Sequence, residues 1–474
     1  MGAAACPAAP GSSPRPGGPL LCYSFLRVDG GCTSNGKVAS APDSRSNASA
    51  PVSPLRTDWR PRDWPVLSPL RGNELECRSR GAEILTFFDH VVLGVAAIPF
   101  VYYLLALYSS ARFFLAARKQ RGQSLDFAPP VSCLKPIKGL DLDAYENYAS
   151  FCRQDYPEYE LIFCVDEDDP ALSLLKRLIE EFPERHIRLL YGSGRRAIND
   201  KVARLVRLVS EARYDLFVIT DGDIRVRPDY LRSVVAPFRD PKVGAATCLY
   251  VSTRETTLVQ ELQSIGMISD FFAGIMVAWL LDGVKFTFGQ TIVATRKAVA
   301  GFGGYEAIEN RPADDLLVGR LVSEQGYHVA LIADPVETVA DFQSLRELLY
   351  KRVRWMTVMR LMRPWGHLGL IFTWGLPWAL FAVARHPTPG VAIAYLGTYL
   401  VLRVAMTWLI GVEGMKQRGL WKKMPLIPIW DAMAFLIWLA SFGRKTIRWR
   451  GIDYFIRGGM LEPVIPNTPQ NASH

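Results

Sequence analysis

Tyr214-Asp-Leu-Phe-Val-Ile-Thr-Asp-Gly-Asp-Ile-Arg-Val-Arg-Pro-Asp229 is the stretch on which the reading of this chain turns. Leu216 to Ile219 has the length and β-branched content of a buried strand. It runs into Thr220 and then Asp221-Gly222-Asp223. Two carboxylates one residue apart, at the end of a buried strand, suit a hard cation such as Mg²⁺ or Mn²⁺. Such a cation takes oxygen ligands and shares them with substrate phosphates. Gly222 permits close approach of the backbone. Asp-Gly is also ordinary turn chemistry, so the neighbouring segments decide between the two readings.

Upstream, strands and helices alternate. Val131 to Leu134 reads as a strand after Pro129-Pro130, Asp141 to Phe151 as a helix, and Leu161 to Val165 as a strand. Asp169-Pro170 opens a helix, Ala171 to Phe182. Ile187 to Tyr191 is a third strand, Gly192-Ser193-Gly194 a turn, and Asn199 to Ala212 a helix. This order implies an α/β domain over 129–340 with a doubly wound, mainly parallel sheet, whose ligands sit beyond the carboxyl ends of the strands. Asp166 and Asp221 both fall just past such ends.

At 474 residues and 49% hydrophobic content, the chain has room for a membrane part. Its net charge of +9 comes from Lys and Arg placed largely beside apolar segments, a pattern of membrane-surface contact. There is no zinc-finger spacing and no repeated basic-aromatic pattern, so no nucleic-acid partner is expected. The eight Cys form no CxxC pair. Cys133 and Cys164 fall in expected strands as small core residues, which fits a reducing compartment.

Val91 to Ala111 is long enough to span a bilayer. Arg112, Arg118, Lys119 and Arg121 follow it and place its C-terminal side in the cytoplasm. Phe271 to Leu281, bordered by Asp270 and Asp282, is too short to span. Phe342 to Met362 is a basic amphipathic segment suited to the headgroup region. Leu368 to Ala384 and Val391 to Gly411 read as a hairpin of spans, with Lys416, Arg418, Lys422 and Lys423 returning the chain to the cytoplasm. Met424 to Phe442 contains Pro425, Pro428 and Asp431. Arg444, Lys445, Arg448, Arg450 and Arg457 follow it, which favours a re-entrant segment. The expected organisation is therefore a disordered or over-extended N-terminal segment (1–82) and a transmembrane helix with basic flank (84–117). A cytoplasmic catalytic domain (129–340), an interfacial helix (341–365), a C-terminal transmembrane region (368–442) and a basic tail (443–474) follow, making a multi-pass membrane protein.

Four charged clusters carry chemistry. In Cys164-Val-Asp-Glu-Asp-Asp-Pro170, Asp169 serves as a helix cap, whereas capping does not explain Asp166. A carboxylate there can accept hydrogen bonds from a nucleobase imide or a ribose hydroxyl. The second cluster is Asp221-Gly-Asp223. The third is Arg311-Pro-Ala-Asp-Asp315, where Asp314 and Asp315 are either helix N-terminal acids or include a general base for an acceptor hydroxyl. The fourth is Lys351-Arg-Val-Arg-Trp355. It is either the basic face of an interfacial helix or a diphosphate contact, since the Arg354 fork matches phosphate oxygens.

Together these clusters resemble the processive and lipid-directed family 2-type glycosyltransferases, whose signature is D, DxD, a (T/E)D pair and (Q/R)xxRW. More narrowly, the chain resembles the ceramide glucosyltransferase family and its bacterial hopanoid-glycosyltransferase relatives. The stretches that carry the likeness are Leu134-Lys-Pro-Ile-Lys-Gly-Leu-Asp141, Gln154-Asp-Tyr-Pro-Glu-Tyr-Glu160, Cys164 to Pro170, the DGD, Gly301 to Tyr305, Ala313-Asp-Asp315 and Arg354-Trp355. The resemblance implies a GT-A fold with N- and C-terminal transmembrane helices. It also implies inverting transfer of a hexose, glucose foremost, from a UDP-sugar to a membrane lipid hydroxyl, ceramide foremost. UDP-GlcNAc-dependent transfer to a hopanoid lipid and polysaccharide synthesis are the alternatives. The resemblance assigns Asp166 to the uracil, with Pro136 and Lys138 nearby. It assigns Lys201 to the donor diphosphate, Asp221 and Asp223 to ribose and metal (Mg²⁺ or Mn²⁺), and Asp315 to the base. Arg354 and Trp355 are assigned to the diphosphate and acceptor. The chain departs from the family at Lys351, at Asn199-Asp-Lys-Val-Ala-Arg204 where Asn-Pro-Lys-x-Asn-Asn is usual, and in having no His near Phe272.

Overall fold

A computed structural model describes residues 89–120, 127–195, 197–339, 343–449 and 452–464. All of them lie in one compact unit, Arg71–His474. The segment 1–82, Arg121 and Arg450 lie outside the described residues.

The centre is an eight-stranded sheet: β1 (Val131–Pro136), β2 (Tyr159–Val165), β3 (His186–Tyr191), β4 (Leu216–Ile219), β5 (Ile224–Arg225), β6 (Val243–Thr253), β7 (Ile292–Thr295) and β8 (His328–Val339), in the order β3-β2-β1-β4-β7-β6-β8-β5. β1, β2 and β4 are buried along their whole lengths. Their side chains are buried on both faces because helices cover the sheet on both sides. The expected mainly parallel sheet is parallel over β3-β2-β1-β4 and mixed beyond it. β7 runs antiparallel to both β4 and β6, β5 runs antiparallel to β8, and β6 and β8 are parallel. The cause is the insertion of β7 between β4 and β6 after a long apolar excursion of the chain. In the β6–β8 ladder, Cys248 faces Ile332 whereas Tyr250 faces Val336. That bulge takes up Asp334-Pro335, because a proline cannot donate to a regular ladder.

The helix Asp200–Glu211 starts from Asn199, whose side chain accepts the Val202 amide at 3.4 Å. Asp169 accepts the amides of Ala171 at 2.9 Å and Gly139 at 2.7 Å. It therefore caps its helix and also fixes the loop after β1.

Among the described residues, four helices are long and apolar enough to cross a membrane: Asp89–Lys119, Leu258–Asp282, Pro389–Gly414 and Arg418–Phe442. Pro364–Thr373 and Gly375–Arg385, bent by 55° at Trp374, form a fifth candidate as a pair. Two expectations are corrected here. Phe271 to Leu281 is not a short separate helix, and the apolar helices are not confined to the two ends. The chain stays helical from Leu258 to Asp282 through a π turn, Met267–Phe271, so Asp270, read as a border, lies inside the helix. Between β6 and β7, this helix is part of the α/β region itself.

A buried polar knot ties the apolar helices together. Arg403 donates through Nε to Asp431 Oδ2 at 2.8 Å, and Tyr399 Oη donates to the same oxygen at 2.8 Å. Arg403 also donates to the Ser269 carbonyl on the π turn, where the widened turn disturbs the usual helical pairing. The stretch 443–474, read as a basic tail, contains a three-stranded antiparallel sheet: β9 (Ile447–Trp449), β10 (Ile452–Arg457) and β11 (Met460–Pro463). Ile447, Tyr454 and Leu461 bury together against Ile198 and Val358.

Candidate active site at the strand ends

β4 delivers Asp221-Gly222-Asp223 to the carboxyl edge of the sheet, and β5 begins immediately after. Ile224 pairs with Thr338 of β8. Thr338 Oγ1 donates to Asp223 Oδ2 at 2.7 Å. Burial and the neighbouring Asp221 charge raise the Asp223 pKa above the ordinary carboxylate value. A Cβ added at Gly222 would come within 2.6 Å of Asp141 Oδ2. The glycine therefore lets the loop after β1 close onto this turn.

Lys201, one residue into its helix, reaches across the cleft. Its Nζ lies 2.7 Å from Asp221 Oδ1 and 3.4 Å from Asp314 Oδ2. Burial opposes its charge, but Asp221, Asp314 and Asp315 outweigh that and hold its pKa well above the ordinary lysine value. Asp315 accepts the Leu316 amide at 2.8 Å and the Gly289 amide at 3.1 Å. Burial and Asp314 push its pKa up to about 6, with Lys201 acting in the opposite direction.

Gly289 joins these parts. A Cβ there would lie 2.9 Å from Asp221 Oδ2, 3.3 Å from Lys201 Nζ and 3.7 Å from Asp315 Oδ2. The carboxylates after β4 and at the start of the helix Asp314–Glu324 thus face one point on the backbone. Nothing local in the sequence singles out Gly289, because a glycine carries no side-chain chemistry and its role follows from what approaches it. Lys135, quoted only inside a motif, is the other omission. It is fully buried, donates to the Asp221 carbonyl at 3.0 Å and sits 3.9 Å over the Phe151 ring. Burial pulls its pKa down to about 8, against the pull of Asp223 and Asp221.

The adjoining cleft, about 160 Å³, is lined by Pro136, Lys138, Lys201, Arg204, Asp221 and Gly222 among others. Lys138 pairs with Asp200 at 3.0 Å. Asp166, just past β2, receives Arg204 Nη2 at 2.6 Å. Arg354 and Trp355 lie on the helix Leu345–Met362, and Trp355 is exposed. Among the described residues, neither makes a hydrogen bond or ion pair with the carboxylate cluster. Their helix is tied to the apolar helices through Arg352, which donates to Gln263 Oε1 at 2.9 and 2.7 Å. The Arg352 guanidinium stacks over Trp355 and Trp430.

Among the described residues, no group of three or more His, Cys, Asp or Glu is arranged to hold a metal ion. Asp221 and Asp223 still fit as a two-carboxylate anchor for a hard cation. Burial, with the Asp221 charge second, raises the Asp223 pKa, and such a cation completes its sphere with water and ligand phosphates. Phe271 and Phe272 of the long helix Leu258–Asp282 pack with Tyr250 and Phe288 at centroid distances of 5.2 to 6.3 Å. This aromatic cluster leads from an apolar helix to the residue before Gly289.

The family model "Glycosyl transferase family 21" matches residues 91–461, and the chain belongs to that family. It is similar to "Ceramide glucosyltransferase 3" of Caenorhabditis elegans, 26% identical over 58% of this chain and 60% of that protein. It is also similar to "Ceramide glucosyltransferase 1" of the same organism, 24% identical over 52% and 56%. The Komagataella phaffii "Ceramide glucosyltransferase" is 34% identical over 32% of each chain. The chain thus spans about 60% or less of the length of these curated relatives. Among solved structures, the mannosyltransferase PcManGT from Pyrobaculum calidifontis, in complex with GDP-Man and Mn²⁺, aligns over 71% of this chain and 99% of its own. It does so with 19% identity and a TM-score of 0.44.

Proposed function

We propose that this protein transfers a hexose, glucose foremost, from a UDP-sugar to the hydroxyl of a membrane lipid, with inversion, and that ceramide is the acceptor. The convergence of Asp221, Lys201 and Asp315 on Gly289 carries the reading. On this reading Asp315, as general base, stands beside Lys201 and Asp221, as the phosphate and metal side of a strand-end cleft.

Each side chain has a role in this scheme. Asp166, with Pro136 and Lys138 nearby, holds the nucleoside. Lys201 neutralises diphosphate charge and at the same time restrains the Asp315 pKa. Asp221 and Asp223 would hold a Mg²⁺ or Mn²⁺ ion, which when bound supplies positive charge to the leaving diphosphate. Asp315 takes the proton from the acceptor hydroxyl. A carboxylate raised to about 6 is ionised at neutral pH yet more basic than an ordinary aspartate. Arg354 and Trp355 are assigned to the diphosphate and acceptor from the adjoining helix. The aromatic cluster of Tyr250, Phe271, Phe272 and Phe288 supports entry of a lipid from the bilayer side. The basic residues in the C-terminal part of the first apolar helix, Arg112, Arg118 and Lys119, favour a cytoplasmic site.

The test is incubation of membranes containing the protein with labelled UDP-glucose and UDP-GlcNAc and a panel of ceramide and hopanoid lipids, followed by mass analysis. Hexosylated ceramide is the expected product. Transfer from UDP-GlcNAc to a hopanoid would replace both donor and acceptor, and a growing polymer would overturn lipid glycosylation itself.

A further inference from the structure

Beside the carboxylate cluster lies a second ion pair of a different kind. Arg204 is 1% exposed. Its Nη2 donates to Asp166 Oδ2 at 2.6 Å and lies 3.4 Å from Asp200 Oδ2. The Asp166 side chain is 36% exposed. Asp169, not Asp166, accepts the amides of the helix start and of the β1 loop, so the Asp166 carboxylate is not used as a cap. One of its oxygens is held from the protein side by a sealed guanidinium, and the carboxylate opens to solvent past the end of β2.

This arrangement sets how many acceptors the carboxylate presents. An unrestrained carboxylate can turn and offer both oxygens to a pair of adjacent donors. Held by Arg204, Asp166 keeps Oδ2 towards the interior and presents Oδ1. The bases of nucleoside diphosphates differ on this count. Uracil has one N–H, at N3, between two carbonyls. Guanine has the N1–H and the exocyclic N2 amine side by side, and a carboxylate satisfies them with both oxygens. A guanine placed against a single presented oxygen has no second carboxylate oxygen for its other donor, and that mismatch costs affinity relative to uracil.

We propose that the Arg204 clamp on Asp166 makes this site a single-acceptor reader that selects uracil over guanine in the donor nucleotide. The inference rests on the nucleotide-sugar reading above and assigns the base selectivity to a residue that does not itself touch the base. Arg204 is a positioning residue that acts through Asp166.

The test is competition binding of UDP, N3-methyl-UDP and GDP to the full chain in detergent, for the wild type, Arg204→Gln and Arg204→Lys. The wild type is expected to prefer UDP over both other ligands by about 100-fold or more. Arg204→Gln, with a neutral amide behind Asp166, should weaken UDP binding about tenfold and narrow the UDP-to-GDP ratio about tenfold. Arg204→Lys, which keeps a cation there, should retain most of that ratio. A merely structural role for Arg204 would lower affinity for all three ligands equally and leave the ratio unchanged. An unchanged ratio in Arg204→Gln therefore overturns the inference, while nucleotide-sugar transfer stands. If Arg204→Gln does not fold, the wild-type series decides: tolerance of GDP or N3-methyl-UDP overturns the inference, and rejection of both supports it. A wild type that binds none of the three overturns the donor reading as well.

Discussion

The Lys201 ammonium lies 2.7 Å from the Asp221 carboxylate, and this contact joins the helix Asp200–Glu211 to the end of β4. Asp314 stands 3.4 Å from the same nitrogen, next to Asp315. One cation therefore serves both the phosphate end and the base end of the proposed site.

The pH profile should report that coupling. Asp315 works as a base only when ionised, so kcat/KM should rise with pH through about 6 and level off above it. Lys201 lowers the Asp315 pKa, so in Lys201→Met the acid limb should move to higher pH, and the donor KM should rise about tenfold. The effect on stability has the opposite sign. Because its folded pKa is raised, Asp315 contributes stability that is full below its unfolded pKa of about 4 and is lost as pH rises through about 6. An acid limb that Lys201→Met leaves in place would break the proposed link.

Gly289→Ala tests the convergence point. The new methyl would lie 2.9 Å from Asp221 Oδ2 and 3.3 Å from Lys201 Nζ, so one of them must shift. A misplacement of about 1 Å near the chemistry costs up to about 100-fold in turnover, and this smaller shift sets that as the upper bound. kcat should fall, by at most that factor, with the thermal midpoint nearly unchanged. Normal turnover would show that the approach to Gly289 is not needed for transfer.

Asp431→Asn addresses the apolar helices. It leaves the Arg403 charge buried among Asp431, Tyr399 and Ser269 positions without its carboxylate partner. Breaking such a pair costs about 3–5 kcal/mol. Thermal inactivation in detergent should occur well below the wild-type temperature, and the double variant Arg403→Met/Asp431→Leu should recover part of the loss. Equal losses in single and double variants would mean that the pair itself does not hold these helices.

Much of the site was legible in the sequence because its strands are buried on both faces. Continuous apolar runs, Leu161 to Val165 and Leu216 to Ile219, mark β2 and β4, and the chemistry-bearing Asp166 and Asp221 follow at their ends. β6 and β8 were not legible: Asp334-Pro335 interrupts the pattern of β8, and only the bulge against Cys248–Tyr250 accommodates it. The helix Leu258–Asp282 was cut short because Asp270 reads as a boundary, whereas the π turn carries it inside. Gly289 and the burial of Lys135 arise from long-range approach, which no local pattern records. Arg354 and Trp355 were placed by motif order, and their helix carries them without a polar contact to the carboxylate cluster among the described residues.

The central claim is that Asp315 is the base of a lipid glycosylation. The most direct measurement is transfer by Asp315→Asn from labelled UDP-glucose to ceramide, with UDP binding followed on the same preparation. Transfer should fall by at least about 100-fold with UDP affinity retained. Near-normal transfer by that variant would contradict it.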